Sequence, residues 1–169
     1  FEGPEDYHKR INSKKLKIDE NSILIVRGCG PVGYPGSAEV VNMQPPDKLL
    51  KKGINALPTL GDGRQSGTSE SPSILHVSPE SAIGGDLAIV KTGDKMKIDL
   101  NKRRVDLLIT QLEFKKRRKS KKKFKINNQT PWQEIFRNTV GQLEDGACIN
   151  SRGVYLDISN KKGLPRNSH

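Results

Sequence analysis

The stretch SILIVRGCGPVGYPG, Ser22–Gly36, turns from strand to loop within a few residues. Ser22–Gly28 is an apolar run of strand length, the pattern of a buried strand. Gly28–Gly36 holds four glycines and two prolines. That density lets the backbone turn sharply or approach another group closely. A second strand and glycine loop follow, with no internal sequence repeat. Pro45 and Pro46 break the chain, Asp47 is placed to cap a short helix over Lys48–Lys52, and Gly53 is placed to end it. Asn55–Leu60 is a second short strand, opening into GDGRQSGTSES, Gly61–Ser71. Strand, glycine loop, helix, strand, glycine loop is an α/β arrangement, and loops held on a rigid sheet are where sites tend to lie.

Further along, Ser73–Val77 reads as another strand. Ser78-Pro79-Glu80 reads as a helix start that Gly84 and Gly85 stop. Leu87–Ile109 reads as a three-stranded meander, LAIVK, KMKIDL and RVDLLI, in which Met96, Ile98 and Leu100 form the buried face. Gln111–Lys125 is either a solvated helix or a linker. Thr130-Pro131-Trp132-Gln133 is a capping box whose helix extends to about Leu143. Trp132, Ile135, Phe136, Val140 and Leu143 share one stripe and need a surface to pack on.

With 169 residues the chain has room for one core. No apolar run is long enough to span a bilayer. The two cysteines, Cys29 and Cys148, are far apart in sequence, which argues against a disulfide framework or zinc knuckle and for a reducing, cytoplasmic setting. The first residue is Phe1, as expected of a processed chain or a piece of a longer one. The net charge of +11 is concentrated. KKRRKSKKKFK, Lys115–Lys125, carries nine basic residues and no acidic one, and the other 21 basic residues face 19 acidic ones. That reads as a nearly neutral domain with a solvated basic run. Phe124 is the run's one aromatic, which leaves base stacking little to work with, so nucleic acid is not the expected partner.

Two groups on the loops carry chemistry. Glu39, just after the first loop, is a hard oxygen donor suited to a divalent cation. Ser66 lies within the second, between Arg64 and Thr68. A serine is a weak base unless its alkoxide is stabilised. The local string G-R-Q-S-G is not the G-x-S-x-G elbow of hydrolases, and His8, His76 and His169 offer no convincing triad partner. Asp62 and Arg64 are either loop-shaping partners or substrate contacts.

Three long strings resemble the dihydroxy-acid dehydratase/6-phosphogluconate dehydratase family. GCGPVGYPGSAEVVNMQPP, Gly28–Pro46, is similar to its metal-site loop. Gly61–Ile109, beginning GDGRQSGTSES, is similar to its catalytic-serine segment. QTPWQEIFRNTVGQLEDGA, Gln129–Ala147, with GLPRNSH at the end, resembles the C-terminal arm of its sugar-acid (arabinonate/xylonate) branch. The resemblance implies a mixed β-barrel with flanking helices, like the swivelling domain of aconitase-like enzymes, over residues 1–126, and a helix and arm over 127–169. It implies dehydration of a sugar acid, a pentonate, to a 2-keto-3-deoxy acid. Ser66 matches the base that takes the C2 proton, and Thr68 binds or orients substrate. Glu39 matches the Mg²⁺ ligand this domain supplies, and Arg64 and His169 are substrate-side candidates.

The resemblance further implies Mg²⁺ and an iron–sulfur cluster of the 2Fe–2S type. The cluster cysteines and remaining metal ligands are expected in an N-terminal domain outside this sequence, and Cys29 and Cys148 do not match them. A homo-oligomer, dimer or tetramer, is implied, and the chain alone is expected to be inactive. The competing expectation is a truncated dehydratase domain that acts as a binding module for polyanions, nucleic acid included, or for proteins through Lys115–Lys125.

Overall fold

A computed structural model describes residues 1–37, 39, 42–64, 71–121, 124–125 and 130–149. The first element is α1, Pro4–Arg10, which the strand-and-loop reading had not singled out. Its signals are Pro4 at the first helical position, Glu5 and Asp6 in the first turn, and His8, Lys9 and Arg10 in the last. α1 buries Tyr7, whose hydroxyl accepts from the Gln44 amide at 2.8 Å and donates to the Gln44 carbonyl.

The buried strand is present as β1, Leu24–Val26. α2, Asp47–Leu50, is the short helix before the second strand, and Gly53 follows it with φ +79°. Asp47 sits inside the first turn rather than capping it, and its own amide donates to Asn12 Oδ1. β2, Thr59–Gly61, and β3, Ser73–Ile74, complete a parallel sheet in the order β1-β2-β3. Leu24 pairs with Thr59, and Thr59 pairs with Ser73. On this sheet Tyr7, Ile11, Leu24, Val26, Cys29, Met43, Leu49 and Leu57 form the core. Burying each large aliphatic side chain contributes roughly 1.5–3 kcal/mol.

The meander is shorter than the sequence suggests. β4, Met96–Asp99, and β5, Arg104–Leu107, form an antiparallel hairpin, but LAIVK is a 3-10 turn, Asp86–Ile89, and not a strand. Its carbonyls are taken by arginines instead of by a neighbouring strand. Arg27 donates to Leu87 and Val90 at 2.7 Å, and Arg117 donates to Ile89 at 3.2 Å. Met96 and Ile98 are half-buried as expected, whereas Leu100 is exposed because it falls in the hairpin turn. The helix expected from Ser78 is a 3-10 turn, Ser81–Ile83, closed by Gly84. It begins later because Glu80 is extended, with its carboxylate directed into the protein.

The class is mixed α/β, but no barrel closes among the described residues. The strands are two to four residues long, and the two sheets are separate. Pro58 and Pro72 precede β2 and β3 and offer carbonyls without amides. Between sheet and hairpin lies an apolar gap of about 490 Å³, lined by Leu60, Ile74, Leu87, Met96, Val105 and Phe114 among others.

The basic run begins in α3, Gln111–Ser120, which has no buried residue yet is firmly tied. Thr110 caps it by accepting from the Glu113 amide. Arg117, little exposed, bonds both oxygens of Asp94 at 2.6 and 3.0 Å and Glu113 at 2.7 Å. Lys121 donates to the Gly84 carbonyl at 2.9 Å. The described lysines of the run are solvated as expected, while Arg117 and Lys121 tie it to the rest of the fold. α4, Pro131–Thr139, carries the expected capping box but ends before Leu143, where Val140 turns extended. Phe136 packs by Gly36 and Val140 is buried, while Trp132 is 77% and Ile135 53% exposed.

Burial works to raise the Asp94 carboxyl, but the Arg117 hydrogen bonds, the Lys91 amide and the guanidinium charge outweigh it and hold the group below its usual value. The Arg117 bond likewise lowers Glu113. Carboxyls depressed in the folded state contribute stability that is present above the unfolded values of about 4 and disappears as pH falls through the folded ones. Arg117→Gln should therefore lower the melting temperature at neutral pH. The gap from wild type should begin to shrink as the pH falls below about 4 and close only below the depressed folded values, where both carboxyls protonate. Thermal melts across that range check this.

Candidate functional site

The glycine loop is built around two enclosed carboxylates. Asp62 directly follows β2, so the strand fixes its position. Its Oδ2 accepts from the Gly28 amide at 3.0 Å, the Ser81 amide at 2.8 Å and the Ser81 hydroxyl at 2.5 Å. Its Oδ1 accepts from the Cys29 amide at 3.0 Å. Glu80 accepts from the Val32 amide at 2.8 Å, the Gly33 amide at 2.9 Å and the Gln142 side chain at 2.8 Å. Both residues are fully buried. A buried carboxylate is costly unless charge-assisted hydrogen bonds surround it, and here they do.

This explains the glycines. A Cβ on Gly63 would lie 2.6 Å from the Cys29 Cβ, and one on Gly30 would overlap the Glu80 side chain. At Gly30 the group approached closely is an internal carboxylate, and at Gly63 it is Cys29. Of the two alternatives for Asp62, loop shaping is what the geometry shows. Glu80 was read in sequence only as part of a helix start. The signal for the pair was an acidic residue directly after an apolar strand or before a turn, flanked by residues too small or rigid to be helical.

α4 closes over the loop. Arg137 is buried and donates to the Gly33 carbonyl from Nε and Nη2, each at 3.4 Å. Gln142 returns a second bond, accepting from the Glu80 amide at 3.0 Å.

Glu39 lies on the open rim of this scaffold. It pairs with Arg64 in an isolated parallel bridge, and their side chains form an ion pair at 3.7 Å. Both side chains are about half exposed, so the pair contributes little stability. What it does is set the two loops in register, with the metal-ligand candidate opposite the residue two positions before Ser66. Ser66, Thr68 and His169 lie outside the described residues.

Glu39 suits Mg²⁺ as one carboxylate donor reachable from outside. Among the described residues no group of three or more His, Cys, Asp and Glu side chains gathers to hold a metal. Cys29 does not fit an iron–sulfur cluster. It is fully buried in the core with no group of ligating side chains gathered round it among the described residues, and burial, aided by the Asp62 charge, pushes its thiol up to about 12.

The family model for the dihydroxy-acid/6-phosphogluconate dehydratase C-terminal domain matches residues 1–147. The chain belongs to that family. The match takes in Glu39, Arg64, Ser66 and Thr68 and stops before His169. A D-xylonate dehydratase of Caulobacter vibrioides is 55% identical over all 169 residues, which is 28% of that protein's length. An L-arabinonate dehydratase of Rhizobium leguminosarum bv. trifolii is 49% identical over 117 residues, 69% of this chain and 20% of that protein. A dihydroxy-acid dehydratase of Thermodesulfovibrio yellowstonii is 37% identical over 150 residues, 88% of this chain and 26% of that protein. The chain thus spans roughly a quarter of the length of these dehydratases. Among the described residues no helix is long and apolar enough to cross a membrane.

Asp62→Asn tests the scaffold. However the amide sits, at least one backbone N–H then faces another N–H, which costs roughly 2–4 kcal/mol through a lost charge-assisted bond and an unpaired donor. Denaturant titration should show that loss. In the wild type, a thiol reagent should modify exposed Cys148 rapidly and buried Cys29 only at the rate of unfolding.

Proposed function

We propose that this chain is the serine-bearing C-terminal part of a hydro-lyase. It dehydrates a sugar acid, a pentonate, to a 2-keto-3-deoxy acid. The observation that carries the reading is the Glu39–Arg64 bridge. It sets an accessible carboxylate beside the loop that runs on to Ser66, in a chain 55% and 49% identical to proteins named as D-xylonate and L-arabinonate dehydratases.

In this reading the Ser66 oxygen takes the proton from C2. The C3–O bond breaks as the departing hydroxyl takes the proton that Ser66 received and leaves as water, and the resulting enol loses its O–H proton and gains one from solvent at C3 to become the 2-keto acid. Thr68 orients the substrate. Arg64 meets its carboxylate with a permanent positive charge, and His169 contacts the substrate from the C-terminal arm. Glu39 supplies one oxygen to Mg²⁺. Bound metal, with an iron–sulfur cluster of the 2Fe–2S type, gives Lewis-acid help to the departing hydroxyl. The other ligands belong to an N-terminal domain, so the 169 residues alone do not turn over substrate. The assembled enzyme is a cytoplasmic homo-oligomer, a dimer or tetramer.

The test is Ser66→Ala in the full-length enzyme, assayed with xylonate and arabinonate for keto-acid product. Removing a general base should lower kcat by roughly 10²–10⁴ while metal content stays normal. Glu39→Gln should instead lower retained Mg²⁺. Near-normal turnover by the Ser66 variant would sink the assignment.

A further inference from the structure

The basic helix presents a surface that the dehydratase reading does not use. Its acidic neighbours are already engaged. Asp94 is held by Arg117, Glu113 by Arg117 and Lys91, and Asp86 by Arg118. Lys121 is turned back onto the Gly84 carbonyl. Lys115, Lys116 and Lys119 remain exposed, and among the described residues no ion pair engages them. Arg117, in the middle of the run, is sequestered and acts as the bolt that fixes α3 to the turn before β4. The three lysines therefore stand on a fixed helix rather than a floppy tail, which lowers the entropy lost on binding a partner.

We infer that Lys115, Lys116 and Lys119 form a docking surface for the phosphate backbone of duplex nucleic acid, read without sequence preference. Charge complementarity selects a polyanion. The surroundings select the kind. A lipid surface calls for an amphipathic helix with an apolar face to insert. α3 offers only Leu112 and Phe114, and Phe114 lines the internal apolar gap. Single strands call for aromatic rings on which bases stack. The Phe124 ring lies against Gly28, close enough to collide with any side chain there, and Phe114 is covered by the Arg118 guanidinium at 5.7 Å. With stacking and insertion set aside, the polyanion left for three fixed lysines is the phosphate backbone of a stiff duplex.

The experiment uses the full chain and a short fluorescent duplex of random sequence, with anisotropy followed against salt. Binding should weaken steeply as salt rises, with a log–log slope of about −3 for three phosphate contacts. Replacing all three residues, Lys115→Gln, Lys116→Gln and Lys119→Gln, should weaken binding at low salt at least tenfold and flatten the slope by about one per lysine. The melting temperature should be unchanged, since Arg117 is untouched. No duplex binding at low salt would overturn the inference. So would binding that survives the triple substitution, or tighter binding to phosphatidylserine vesicles, to an acidic polypeptide or to single strands.

Discussion

The burial of Asp62 is the constraint on which the rest of the structure depends. A carboxylate sealed from water must be met by donors, and this one recruits them from two separate segments, Gly28–Cys29 and Ser81. Because Asp62 directly follows β2, those bonds pin the first glycine loop and the 3-10 turn after β3 to the parallel sheet. Glu80, beside Ser81, repeats the device on Val32 and Gly33. The backbone of the loop is thereby positioned by charge-assisted bonds as well as by the buried Cys29 and Pro31 side chains, which suits a segment made largely of glycine and proline.

This arrangement frees the rim. With the inner amides committed to Asp62 and Glu80, Glu39 can stand half exposed, held only by a bridge to Arg64 and a loose ion pair. An accessible carboxylate over a rigid loop floor is what the Mg²⁺ role proposed for Glu39 requires. α4 reinforces the floor from the other side through Arg137 and Gln142. Its apolar stripe is only partly used there, by Phe136 and Val140, while Trp132 and Ile135 face outward.

Much of this was legible in the sequence. The apolar run before Gly28 is β1, the capping box at Thr130 is present with both of its bonds, and the glycine-rich strings resemble the family to which the chain belongs. What escaped was long-range and polar. LAIVK has strand composition, but Arg27 and Arg117 claim its carbonyls, and nothing within five residues announces an arginine sixty positions upstream. The barrel was an expectation from resemblance, and strands of two to four residues among prolines do not close one among the described residues. Arg117 looked like one cation among nine until Asp94 was found beside it. Lone acidic residues such as Asp62 and Glu80 read as surface or loop chemistry because periodicity reports where apolar side chains lie and is silent on buried charge.

The claim at the centre of this account is that the two loops serve removal of a C2 proton and a C3 hydroxyl from a sugar acid. The most direct measurement is to run the metal-replete, full-length enzyme on a pentonate in D₂O and examine the product by NMR. The account predicts a 2-keto-3-deoxy acid carrying deuterium from solvent at C3, because the enol left by proton removal is reprotonated there. A substrate recovered unchanged, or a product that kept its C2 hydrogen, would contradict it.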